Sequence, residues 1–184
     1  MRQKNTANDP ARRARIIVAT ITLIERAGIA SVTARAVAES AQVPVGSVSY
    51  YFDSVRALLL EASRNIIEQR VETLEQWRKD VTTATVIDRL AVLIHHQSTS
   101  GRALTVVAYE LYILGFRDLE FRDISRMSIV SLRTCLEDYL PPEAAAHLAA
   151  VADGFQLESL FELEPPSLDR VRTVFDAVLR PSTR

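Results

Sequence analysis

Between Thr33 and Phe52 the chain sets one arginine, Arg35, ahead of a close run of hydroxyl-bearing side chains, Ser47, Ser49, Tyr50 and Tyr51. A guanidinium fork pairs with a phosphate or with the edge of a guanine, and hydroxyls donate to phosphates and base edges with little selectivity. Thr33 and Arg56 bracket the run with a further hydroxyl and a further cation. Together these groups suit hydrogen bonding to a polyanion, provided that short helices hold them on one surface. Plainer roles stay open: Arg35 can pair with Glu39 four residues on, and Tyr50 and Phe52 can serve as core.

The elements that would position them are legible around the run. Thr33 suits a helix N-cap, and Val37, Ala38 and Ala41 fall on one face of a helix over about Thr33–Ser40. After an Ala41-Gln42-Val43 turn, Pro44 suits the first turn of a second short helix that carries Ser47 to Tyr51. A helix this short does not persist alone, so neighbours must hold it. Upstream, Pro10 to Ala27 reads as an amphipathic helix with Ile16, Thr20, Leu23, Ile24 and Ala27 on one face, stopped by Gly28. Downstream, Ser54 to about Lys79 reads as one long helix with Leu58, Leu59, Ala62, Ile66, Val71, Leu74 and Trp77 along it.

Further helices are expected near 84–98, 102–116, 119–140, 142–163 and 167–180, with breaks at Gly101, Gly115, Pro141-Pro142, Pro165-Pro166 and Pro181. No alternating strand pattern competes with them. The expected fold is all-α, with about nine helices. An N-terminal three-helix helix-turn-helix domain over 1–56 is joined by the long helix to a helical domain over 57–184.

The N-terminal third resembles the TetR family of transcriptional regulators. That family's pattern is a first helix ending in glycine, a T-x-R-x-I-A element, an A-G-V turn, a G-T-L-Y-x-H-F recognition helix and an S-K-x-x-L start to the fourth helix. The counterparts are Ala27-Gly28, Thr33-Ala34-Arg35-Ala36-Val37-Ala38, Ala41-Gln42-Val43, Gly46-Ser47-Val48-Ser49-Tyr50-Tyr51-Phe52 and Ser54-Val55-Arg56-Ala57-Leu58. Three positions depart. Gln42 stands for the turn glycine, where a left-handed backbone costs a non-glycine residue about 1 kcal/mol. Val55 stands for a lysine that often meets phosphate in the family, leaving Arg56 as substitute, and Ser49 replaces the first aromatic of the recognition helix.

Charge is distributed to match. Of 184 residues with a net charge of −1, residues 1–56 hold eight Lys/Arg against four Asp/Glu, and the remainder 14 against 19. A basic head on an acidic body suits approach to DNA by one end, with Arg12, Arg13 and Arg15 also able to reach phosphate. No apolar stretch reaches membrane-spanning length, and MRQKNTANDPARRAR lacks the apolar core of a signal peptide, so a cytoplasmic location is expected. The single cysteine, Cys135, excludes an intrachain disulfide and reads as a small buried hydrophobe. No Gly-rich phosphate loop, G-x-S-x-G elbow or H-E-x-x-H points to an enzyme, and no cofactor is implied. His95 and His96 are adjacent and diverge on a helix, and Glu143 with His147 lacks further ligands, so no metal site is expected.

The resemblance implies a homodimer on a palindromic double-stranded DNA operator, acting as a repressor that a small apolar or aromatic effector releases. It places the last two helices in a four-helix dimer bundle, for which Phe155, Leu160, Val171, Phe175 and Val178 are the candidate contacts. The segment 144–163 is apolar over more than one face, which calls for a second partner. Candidate effector-pocket residues are Trp77, His95, His96, Gln97, Tyr109, Tyr112, Phe116 and Gln156, the aromatic and polar groups of an otherwise apolar body. The competing reading is a helical protein-interaction module whose degenerate headpiece no longer reads DNA.

Overall fold

The computed structural model describes residues 9–179. Arg2 and Lys4 of the basic start, and Pro181 as the terminal break, lie outside the described residues. Among the described residues there are nine α-helices and no strand: α1 Pro10–Ala27, α2 Ala34–Ser40, α3 Val45–Tyr51, α4 Val55–Arg78, α5 Val86–Ser98, α6 Arg102–Leu114, α7 Leu119–Glu137, α8 Pro142–Ser159 and α9 Leu168–Leu179. No helix is long and apolar enough to cross a membrane. A one-turn 3-10 helix, Ile29–Ser31, follows α1 and was not expected.

The chain forms two compact units. One runs through Ile66 and takes in Val107–Arg122; the other holds Ile67–Val106 and the residues from Asp123 on. In the first unit, Ile16, Ile17, Ile21 and Ile24 of α1 meet Val37 and Ala38 of α2, Val48 of α3, Phe52, Leu58, Ala62 and Ile66 around α4, and Val107 and Leu111 of α6. In the second, Trp77, Leu90, Ile94, Leu136, Leu148, Phe155, Val171 and Phe175 form a separate core, with α9 lying on α5 and α8.

Local chemistry explains the helix ends of the first unit. The Asp9 carboxylate caps α1 by accepting from the Ala11 amide at 3.0 Å, with Pro10 at the first helical position where no amide partner is lost. Gly28 ends α1 at φ 75° and ψ 168°, a conformation open essentially to glycine alone. The Thr33 hydroxyl accepts from the Ala36 amide at 3.1 Å and so caps α2.

The α2–α3 turn is a Schellman motif: the Val43 amide donates to the Ala38 carbonyl at 2.9 Å and the Gln42 amide to the Glu39 carbonyl at 3.1 Å. Its geometry demands a left-handed residue, and Gln42 supplies it at φ 55°, the one non-glycine residue with positive φ among the described residues. Pro44 stands one place earlier than expected, as the extended N-cap of α3 rather than within its first turn. The apolar pattern over 142–163 outruns its helix: α8 ends at Ser159, leaving Phe161 and Leu163 outside it. Gln42 is exposed and its side chain stabilises nothing visible. Gln42→Gly should therefore raise stability by about 1 kcal/mol, read as a higher urea midpoint at unchanged slope.

Candidate nucleic-acid interface and effector cavity

The presented face of α3 follows from which of its residues the core takes. Val48 and the following Phe52 are buried, and this orients the seven-residue helix. Val45, Gly46, Ser49 and Tyr50 are left exposed, Tyr50 at 60% of its surface, while Ser47 is half-buried. A Cβ built on Gly46 would meet nothing within 4 Å, so the backbone at the start of the helix stands open. Arg35 is exposed on α2 and makes no ion pair among the described residues, its i+4 neighbour Glu39 included. Thr33 is exposed too, and its cap bond uses its oxygen as acceptor, leaving the hydroxyl proton free to donate.

Two residues of the expected contact set are engaged elsewhere. The Tyr51 hydroxyl accepts from the Asp9 amide at 2.8 Å and donates to the Asp9 carbonyl at 3.2 Å, tying the end of α3 to the start of α1. Tyr50 stacks edge-on against it with ring centroids 5.0 Å apart. Arg56 does not stand free as a phosphate clamp. Its Nε and Nη2 donate to the two Asp118 oxygens at 2.7 and 2.8 Å, Nη2 also donates to Glu120, and the guanidinium lies over the Phe121 ring at 5.9 Å. Hydrogen bonds from Asp118 and Glu120 raise the arginine's pKa further, and the bond from Arg56 holds the Asp118 carboxyl below its ordinary range. Arg13 is likewise occupied, paired with Glu61 and lying 5.3 Å above the Phe52 ring. Partial burial opposes the Glu61 charge, but hydrogen bonds from Arg13 and Arg64 outweigh it and lower that carboxyl's pKa.

In the second unit a cavity of about 440 Å³ lies between α4 and α7, lined by Val71, Leu74, Met127, Val130 and Cys135 with Ser131 and Thr134. Glu75, Arg78, Asp123 and Arg126 complete the wall. Arg78 is set by Asp138 at 2.6 Å and by Glu75 at 3.1 Å, and its carbonyl accepts from the Tyr139 hydroxyl. None of the aromatic and polar residues expected at a pocket lines this cavity. Trp77 is buried and donates its indole N–H to the Arg89 carbonyl at 3.0 Å. His95 Nδ1 lies 3.1 Å from the Pro166 carbonyl and therefore carries the proton; His96 meets Ser100; Gln156 donates to Gln97. Tyr109, Tyr112 and Phe116 form an edge-to-face series in the first unit.

The candidate dimer contacts divide by exposure. Val171 and Phe175 have no accessible surface and Phe155 has 8%, so these three belong to the chain's own core, where they meet α5 and α8. A regular i, i+3, i+4 apolar pattern cannot distinguish a core stripe from a dimer stripe. Leu160 and Val178 are half-buried. Among the residues that α8 leaves exposed, Ala150, Gly154 and Leu157 are small or apolar and Glu143, His147, Asp153 and Glu158 are polar; past the helix end follow Phe161 at 84% and Leu163 at 104% exposure. Among the described residues no cluster of three or more His, Cys, Asp or Glu could hold a metal.

A short helix held outward by its neighbours through a turn of fixed geometry is the architecture of a helix-turn-helix DNA-binding protein. The family models agree: that of the bacterial regulatory proteins of the tetR family matches residues 16–62, and that of the tetracyclin repressor-like C-terminal domain matches 81–181. The chain belongs to the TetR family of transcriptional regulators. Among solved structures it is similar to the multidrug binding protein EbrR complexed with imidazole, at 30% identity and TM-score 0.79, covering 95% of this chain and 99% of that one. The transcriptional regulator SCO7518 of Streptomyces coelicolor A3(2) is similar at 29% identity and TM-score 0.81, covering 92% and 98%. The HTH-type transcriptional regulator BetI of Cronobacter sakazakii is 27% identical over 183 residues, 93% of this chain and 90% of BetI. Regulators of this family act by binding DNA, not by catalysis.

Cys135 bears on the cavity's chemistry. Burial raises its thiol pKa to about 11, so at pH 7 only roughly one thiol in ten thousand is ionised. A disulfide reagent at pH 8 should label the native protein at least about 100-fold more slowly than the urea-unfolded chain. Equal rates would show that the thiol is open to solvent.

Proposed function

We propose that the protein is a homodimeric repressor that reads a palindromic operator with α2 and α3 and leaves it when a small aromatic or apolar effector occupies the α4–α7 cavity. The observation that carries the DNA reading is the outward face of α3, with its open backbone at Gly46 and exposed Ser49 and Tyr50, together with the exposed, unpaired Arg35 on α2. Arg35 reaches a guanine edge or a phosphate, and Ser47, Ser49, Tyr50 and Thr33 donate around it. Tyr51 contributes by fixing the helix through Asp9 rather than by touching DNA.

A two-fold dimer sets two such faces on neighbouring half-sites. The reading assigns the contact to the outward side of α8, Ala150, Gly154 and Leu157, together with Leu160, Phe161 and Leu163 beyond it and Val178 on α9. Phe161 and Leu163 are large apolar side chains with most of their surface in water, which a buried interface would relieve. For the effector, the cavity's size falls within the range of small-molecule sites, and the similar EbrR has been solved with ethidium, proflavin and malachite green, all aromatic compounds.

The test is binding of the purified protein to a duplex it has itself selected from a random library, followed by fluorescence anisotropy against salt. The expected result is a log–log salt slope near −0.9 for each phosphate neutralised, with Arg35→Ala about tenfold weaker than wild type. Equal affinity for selected and unrelated duplexes would overturn the operator reading in favour of a protein-interaction module. The double change Leu157→Glu with Phe161→Glu should give monomers by light scattering and lose most operator affinity, whereas a persistent dimer would move the interface elsewhere.

A further inference from the structure

We propose, resting on the operator reading above, that α3 selects thymine by its C5-methyl group, with Val45 and the ring of Tyr50 as the readers, and not by paired hydrogen bonds to base edges. The helix reads Val-Gly-Ser-Val-Ser-Tyr-Tyr. Side chains that grip one base with two hydrogen bonds are arginine or lysine on guanine and asparagine or glutamine on adenine, while carboxylates accept from cytosine. The helix carries none of these residues. Its serines and tyrosines offer single hydroxyls, which donate and accept alike and so favour no base strongly. The thymine methyl is the feature of the major groove that an apolar side chain recognises.

The exposed residues are arranged to offer apolar surface. At about 100° per residue, Val45 and Ser49 form one row along the helix and Gly46 and Tyr50 the next, so all four share one face. Gly46 and Ser49 keep the middle of that face shallow, and Val45 and Tyr50 stand at its two edges. Val45 is 49% exposed and takes no part in the headpiece core, although Val48, three residues on, is buried in it. Its isopropyl group is left in water, open to a methyl brought from outside.

Gly46 has ordinary backbone, since Gly28 is the glycine with positive φ, and a Cβ at Gly46 would meet nothing within 4 Å. Neither conformation nor packing among the described residues calls for a glycine there, and glycine weakens a helix relative to alanine. Its effect is on approach: with no side chain between them, Val45 and Tyr50 reach past the helix surface to a base edge. The Tyr50 ring is also held in place. It packs edge-on to Tyr51 with centroids 5.0 Å apart, and the Tyr51 hydroxyl is bonded to both the amide and the carbonyl of Asp9. A ring steadied in this way loses little freedom when it meets its partner.

For the test, the selected duplex is remade with deoxyuridine in place of thymidine, one position at a time. This removes a methyl and leaves every hydrogen-bonding group of the base in place. Fluorescence anisotropy gives the affinity of wild type, Val45→Ala and Tyr50→Ala, and thermal melting confirms that each variant folds. Loss of a buried methyl contact is expected to weaken wild-type binding about fourfold at the thymines opposite α3. In Val45→Ala the penalty at one of these thymines should shrink below about 1.5-fold, because both changes remove the same contact. Tyr50→Ala should do the same at another, whereas Val45→Ile and Tyr50→Phe, which keep the apolar groups, should retain the penalty. A duplex with uracil at every thymine position that binds as tightly as its parent would overturn the inference and leave the operator reading standing. So would a uracil penalty undiminished in both alanine variants, since it would then belong to the shape of the duplex itself. Failure of the selection to enrich any duplex would sink the operator reading and this inference with it.

Discussion

Burial of Val48 and Phe52 is the constraint on which the DNA-facing end depends. A seven-residue helix has too few hydrogen bonds to outweigh the entropy of its nucleus, so α3 exists because the headpiece core accepts these two side chains. Their direction then decides which of its residues face water. The isoleucines of α1 build the receiving surface, α2 supplies small residues for close approach, and the Asp9–Tyr51 bonds fix the far end. The polar groups left in water are those the core does not need.

Much of this was legible in the chain, and the reasons for the exceptions are physical. Helix capping is local, so Thr33 and Gly28 can be read from neighbouring residues alone, and the left-handed demand at Gln42 follows from the turn it occupies, whereas the Asp9 cap of α1 emerges only in the structure. The end of α8 was missed because Leu160, Phe161 and Leu163 continue its apolar composition after its hydrogen bonding stops. Periodicity likewise placed Val171 and Phe175 on one face without saying which neighbour covers it.

Sites made by distant segments left no such trace. The partners of Arg56 lie across three helices, α4 to α6, along the chain, and a run of i, i+3 contacts cannot announce them. The cavity was missed for a different reason. Its wall is built mainly from aliphatic and small residues of α4 and α7, while the aromatic residues that a pocket is expected to recruit are spent on core packing and edge-on ring contacts. Family resemblance located the head sharply because the headpiece is a tight set of local spacings. It had no comparable grip on the body.

The Glu110–Ile29 bond joins residues 81 positions apart, and Val107 and Leu111 close the headpiece core from the same helix. The headpiece is therefore compact in space but discontinuous along the chain. Recombination that exchanged only the leading segment would deliver it without the α6 turns that complete its core, exposing Ile16 and its neighbours and stranding the Ile29 amide. Such a graft onto a foreign body succeeds only where that body already carries a matching apolar pair and a carboxylate at the same height, so the two halves of this regulator are constrained to change together.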